Sequence, residues 1–69
     1  NCQYFILAKG LLERDLNLIL TEFIFGYDKD YVIRMYKEVT KDAGHVLLVD
    51  TLKQEIRIDF INPLPKNSN

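Results

Sequence analysis

Residues 28–44 read DKDYVIRMYKEVTKDAG, and this stretch decides the fold. It carries a start signal, a period and a stop signal. Asp28 is suited to cap a helix N-terminus, and Asp30 then falls in the first turn, where negative charge is favoured. Val32, Tyr36, Val39 and Ala43 recur at spacings of three and four, which places them on one face. Gly44 closes the pattern as a C-terminal cap, with Lys41 in the last turn. The reading is one amphipathic helix over 28–43. The residues before it read as helical, and those after it read as a β-hairpin.

Working outward toward the N-terminus, residues 4–25 are densely apolar, broken by Glu13-Arg14-Asp15. If the segment is one helix, Phe5, Leu12, Leu16, Ile19 and Phe23 fall within a narrow arc, the natural core face. Leu7, Leu11, Leu18 and Phe25 then form a second apolar row, which either the domain itself covers, under the hairpin or Leu64, or a partner chain does. Gly10 is either an interior glycine costing about 1 kcal/mol or a break between two helices. Tyr4 to Ala8 also passes as a strand, because short apolar runs do not separate the two states. Gly26 suits a left-handed helix terminus, so the connection to Asp28 is short.

Beyond Gly44 the period changes. His45-Val46-Leu47-Leu48-Val49 is an apolar run typical of a strand covered on both faces. Glu55-Ile56-Arg57-Ile58-Asp59-Phe60 alternates, with Ile56, Ile58 and Phe60 inward. Residues 45–50 and 55–61 are expected to pair antiparallel. The intervening Asp50 to Gln54 lacks the Asn-Gly or Asp-Gly of a tight turn, which predicts a longer loop. Pro63 and Pro65 end the order, so the domain is placed at residues 1–61 with a flexible polar tail over 62–69.

The expected class is α+β, N-terminal helices followed by a C-terminal antiparallel β-hairpin. In that order Leu20-Thr21-Glu22-Phe23 resembles the opening of the second helix of winged-helix domains, members of the helix-turn-helix superfamily. Val32, Tyr36 and Val39 stand where the third helix of that family packs its core. Gly44-His45-Val46 resembles the step into its first wing strand. The resemblance spans roughly residues 4–61 and implies nucleic-acid binding through the 28–43 helix and the 50–54 loop. The chain departs from the pattern in two places: the segment between Thr21 and Asp28 is short, and the exposed helix face is not strongly basic.

Composition limits function. The chain has 69 residues, 48% of them hydrophobic, and a net charge of −1. This is one domain, near the size at which a lone core is only marginally stabilising. An overall basic excess of the kind nucleic-acid binders carry is missing. The single cysteine, Cys2, allows no internal disulfide, and an intracellular setting is the expectation. No stretch reads as a secretory leader or a bilayer span. The chain opens on Asn1 rather than Met, which leads us to expect an excised or processed domain.

Chemistry is sparse. His45 is the only histidine, and one histidine makes no catalytic triad. Cys2 sits at a chain end, where a preorganised nucleophile is hard to hold. Asp28 and Asp30 are explained by capping and helix-dipole complementarity. Gly10, Gly26 and Gly44 are isolated, so no phosphate loop exists, and no metal or cofactor set is found. The expectation is a non-enzymatic protein-interaction or assembly module, binding a protein partner or a second copy through Leu7, Leu11, Leu18 and Phe25. The alternative is nucleic-acid contact through Arg34, Lys37, Lys41, Lys53 and Arg57. Four acidic residues, Asp28, Asp30, Glu38 and Asp42, balance four basic ones along that helix, so the protein partner leads.

Overall fold

The computed structural model describes residues 4–66, and Cys2 lies outside them. The architecture is α+β: two helices packed on one face of a four-stranded antiparallel sheet. In chain order the elements are β1 (Tyr4–Leu7), α1 (Glu13–Glu22), α2 (Lys29–Thr40), β2 (Leu47–Asp50), β3 (Glu55–Ile58) and β4 (Asn62–Pro63). The strands lie in the order β1-β2-β3-β4, so both helices form the connection between two neighbouring strands.

The helix–helix–hairpin succession is present, with one strand before it and one after. The strand before it settles the open choice at residues 4–8 in favour of a strand, and it ends the expectation of one continuous helix over 4–25. Tyr4-Phe5-Ile6-Leu7 is aromatic and apolar, suited to a pleated surface, and it pairs with β2 from Tyr4↔Asp50 to Leu7↔Leu47. Gly10 then turns the chain at φ +94°, a conformation that a glycine adopts without steric cost. Helix α1 starts only at Glu13, with Leu12 as its exposed N-cap rather than a core residue. Glu13 and Asp15 occupy its first turn, where they favour the dipole.

The 28–44 stretch forms α2 much as its pattern dictates. Asp28 caps it by accepting a hydrogen bond from the Tyr31 amide at 2.9 Å. Val32 and Tyr36 are buried and Val39 packs against the core. The end is earlier than expected, at Thr40, whose hydroxyl donates back to the Tyr36 carbonyl at 2.8 Å. Ala43 is exposed, and Gly44 turns the chain toward β2 from beyond the helix end.

The core lies between the layers. Leu16 and Leu20 of α1 and Tyr31, Val32 and Tyr36 of α2 meet Leu7, Leu47, Val49 and Ile56 from the sheet. Two tyrosine hydroxyls pin the loops to this core. Tyr36 donates to the Ala8 carbonyl at 2.6 Å and accepts from the Leu11 amide at 3.1 Å, fixing the β1–α1 loop. Tyr27 donates to the Leu64 carbonyl at 2.6 Å.

That last contact moves the domain boundary placed at Ile61. Asn62 and Pro63 pair with Ile58 and Arg57, and Leu64 is buried in the core. Proline is tolerated here because β4 is an edge strand, where a missing N–H need break no ladder. The β2–β3 hairpin pairs 47–50 with 55–58, as expected at the loop end and shorter than expected at the open end. Ile56 and Ile58 face the helices, but Phe60 does not. Asp59 takes a left-handed conformation, φ 58°, and ends the alternation one residue before Phe60.

Candidate functional site

The open face of the sheet is the candidate site. Alternation sends Phe5, Leu7, Leu47, Val49, Ile56 and Ile58 toward the helices, and register puts Tyr4, Ile6, Leu48, Asp50, Glu55 and Arg57 on the other side. Tyr4, Ile6, Leu48, Arg57 and Phe60 line a groove of about 340 Å³ there. Leu48 forms its floor at 3% exposure, while Tyr4, Ile6 and Phe60 stand 48%, 56% and 59% exposed. Ile61, beside Phe60 in the β3–β4 turn, is 80% exposed. Turn tips ordinarily carry polar or small residues, so two large apolar side chains on this one are notable.

An ion cluster underlies one end of the groove. The Arg57 guanidinium lies 3.0 Å from Asp50 Oδ2, contacts Glu55, and donates through Nε to the Phe60 carbonyl at 2.9 Å. Asp50 is 1% exposed. Its other oxygen accepts from the Leu52 and Lys53 amides, each at 3.0 Å. This is how the β2–β3 loop turns without an Asn-Gly pair: the side chain of Asp50 supplies the acceptors. The Lys53 amide, and then the Arg57 guanidinium, hold the Asp50 carboxyl below the usual range. Arg57 is raised, first by its bond to Glu55. The cluster pairs its one guanidinium with two carboxylates, so one negative charge remains beside the apolar groove.

A second clip fixes the β3–β4 turn. Asp59 receives the Val46 amide at 3.1 Å on one oxygen and faces His45 Nδ1 at 3.1 Å on the other. The histidine, followed by the Val46 amide, lowers the Asp59 carboxyl. His45 thus has a structural partner and holds the segment that presents Phe60.

The four residues expected to form one helical row are spread over four segments. Leu7 is core in β1, Leu11 packs against the core from the β1–α1 loop, and Phe25 is half-buried in the interhelical loop. Only Leu18, at 64%, stands exposed on a helix. The row depended on one continuous helix, and the turn at Gly10 removes it. The basic set is divided as well. Arg34, Lys37 and Lys41 are exposed on α2, with Arg34 over the Tyr31 ring and Lys41 paired to Glu38. Arg57 lies on the opposite layer and is engaged in the ion cluster, while Lys53 is exposed in the loop.

Compared with known protein families, with curated proteins and with solved structures, the chain matches none. The residues alone carry the reading. Among the described residues no group of three or more histidine, cysteine, aspartate or glutamate side chains could hold a metal ion, and no helix is long and apolar enough to cross a membrane. Sequence reasoning missed the open face, in part because of β1. Tyr4-Phe5-Ile6-Leu7 is apolar at every position, so no alternation marks which residues face away from the core.

Proposed function

We propose that this domain is a protein-interaction or assembly module whose contact surface is the open face of the sheet. One observation carries the reading: the face turned away from the helices bears Tyr4, Ile6 and Phe60 exposed around a buried Leu48 floor. Contiguous apolar surface of this kind marks interaction sites in small soluble domains. Arg57 is the one base on this face, and its ion pairs with Asp50 and Glu55 leave the cluster one negative charge, held at the end of the groove rather than among Tyr4, Ile6 and Phe60. The contact surface therefore sits on the sheet rather than on a helix.

The test is a titration with a small apolar dye, 8-anilinonaphthalene sulfonate, followed by amide chemical shifts. The expected result is saturable movement at Ile6, Leu48, Arg57 and Phe60, with Leu18 and Leu52 still. Movement confined to Leu18, or none at the sheet, overturns the reading.

A second reading has one observation in its favour. Lys9, Lys37 and Lys41 line a cleft of about 370 Å³ with no carboxylate in its walls, at the C-terminal end of α2. A winged-helix-like use of α2 would bring these lysines to a phosphate backbone. Duplex DNA binding that weakens steeply with salt, with a flatter slope in Lys37→Glu, is the expected result. No binding at low salt retires it.

A further inference from the structure

The two edges of the sheet are not alike. β4 is two residues long, and Pro63 has no N–H to offer. A short, proline-bearing edge is one of the ways folded domains prevent further pairing. β1 is twice as long and reads Tyr-Phe-Ile-Leu, with no proline, no glycine and no charge. None of its residues has a positive φ, so no bulge of that kind twists it away. Among the described residues no strand flanks it on its outer side. A flat, uncharged, apolar edge is a template for another strand, and soluble domains blunt such edges unless something occupies them.

We infer that β1 pairs antiparallel with β1 of a second copy across a twofold axis, joining two four-stranded sheets into one of eight. This deepens the interaction-module reading and rests on it.

Self-complementarity names the occupant. An axis through Phe5 sets Phe5 against Phe5 and Tyr4 against Ile6 of the other copy, so inward positions meet inward positions. Both helix layers then stay on one side, and both open faces become continuous. The two Tyr–Ile pairs are aromatic against β-branched, a favoured cross-strand combination. Exposed apolar surface is concentrated at this edge: Tyr4 and Ile6 stand about half exposed, while Leu48, their outward neighbour on β2, is buried. On the inner side the Phe5 ring lies 5.2 Å from Phe23, and both are only half-buried, so the edge is aromatic on its helix side too. Charge does not oppose the union, because the strand is neutral and each chain carries only −1. Such a contact is isologous and closes at two copies.

The experiment uses the full 69-residue chain, in sedimentation velocity from micromolar to millimolar concentration with amide hydrogen exchange read by NMR at both ends of that range. The expected mass rises toward twice 8.1 kDa. The amides of Phe5, Ile6 and Leu7 should become protected together as the mass rises, since pairing on both sides of β1 leaves none facing solvent. Ile6→Lys, which places a charge on the edge without touching the core, should stay at the monomer mass with unchanged circular dichroism. Leu18→Lys, exposed on α1 away from the sheet, should still dimerise. A mass that never exceeds the monomer overturns the inference, as does fast exchange at alternate β1 amides in the associated state. In that second outcome, association lost in Phe60→Lys would make the face itself the contact. The interaction-module reading would then stand while edge pairing fell.

Discussion

The phenolic oxygen of Tyr27 lies 2.6 Å from the backbone carbonyl oxygen of Leu64, so a ring between the two helices anchors the segment after β4. Burial raises the Tyr27 hydroxyl above its ordinary value, which keeps it a proton donor throughout the neutral range. Lys66 extends the anchor, with its ammonium 4.2 Å from the Tyr27 ring centre and a hydrogen bond to the Phe25 carbonyl. The C-terminal segment is therefore part of the fold, and the consequences can be measured.

Tyr27→Phe removes the donor and leaves the Leu64 carbonyl buried without its partner, which should cost about 1–3 kcal/mol. Leu64→Ala should cost about 2–5 kcal/mol as a core truncation. Urea midpoints on both variants, and on a chain ending at Ile61, provide the check. A chain ending at Ile61 with parental stability would show that the anchor holds nothing.

Leu16 and Leu18 are two residues apart in α1 and face opposite environments. Leu16 is in the core and Leu18 is exposed. Leu16→Ala should cost about 2–5 kcal/mol, whereas Leu18→Ala should stay within about 0.5 kcal/mol of the parent. Equal losses would mean that Leu18 is covered in solution.

Gln54 closes the β2–β3 loop in a left-handed conformation, φ 56°. A side chain there costs roughly 1–2 kcal/mol relative to the right-handed region. Gln54→Gly should therefore raise the melting temperature or leave it unchanged, despite the entropy that glycine adds to the unfolded chain. A clear drop in calorimetry would mean that the Gln54 side chain makes a stabilising contact.

Acid should loosen the sheet. The carboxyls of Asp50 and Asp59 are both lowered, the first chiefly by the Lys53 amide and then Arg57, the second chiefly by His45. A group whose native pKa lies below its unfolded value binds fewer protons when folded. Its contribution is present at neutral pH and is lost as the pH falls below about 4 toward the lowered native values. Urea midpoints should drop across that range, and Asp50→Asn should reduce the drop. A variant with the parental pH profile would remove Asp50 from the account.

Helix α2 and the β2–β3 hairpin were legible because their signals are local. Asp28 caps within three residues, and Ile56 and Ile58 alternate on a single strand. Tyr4 to Leu7 was not, because four apolar residues fit a strand or a helix, and only pairing with residues 47–50 chooses between them. Phe60 failed for another reason. Its orientation depends on the left-handed backbone of Asp59, which is held by Val46 and His45 from thirteen and fourteen residues away. The candidate face inherits both difficulties, since it joins β1 to the β3–β4 turn.

The pairing of β1 with β2 also sets an order of assembly. Leu7 meets Leu47 across forty residues, whereas Asp50 meets Glu55 across five. That is three doublings of loop length, or about 2 kcal/mol of additional closure entropy. The helices and the hairpin can therefore assemble while the first strand is still undocked, and that strand joins late. By the same argument it should be the first element to peel away in the native ensemble. The slowest contact to form is then also the most easily exchanged between neighbouring molecules.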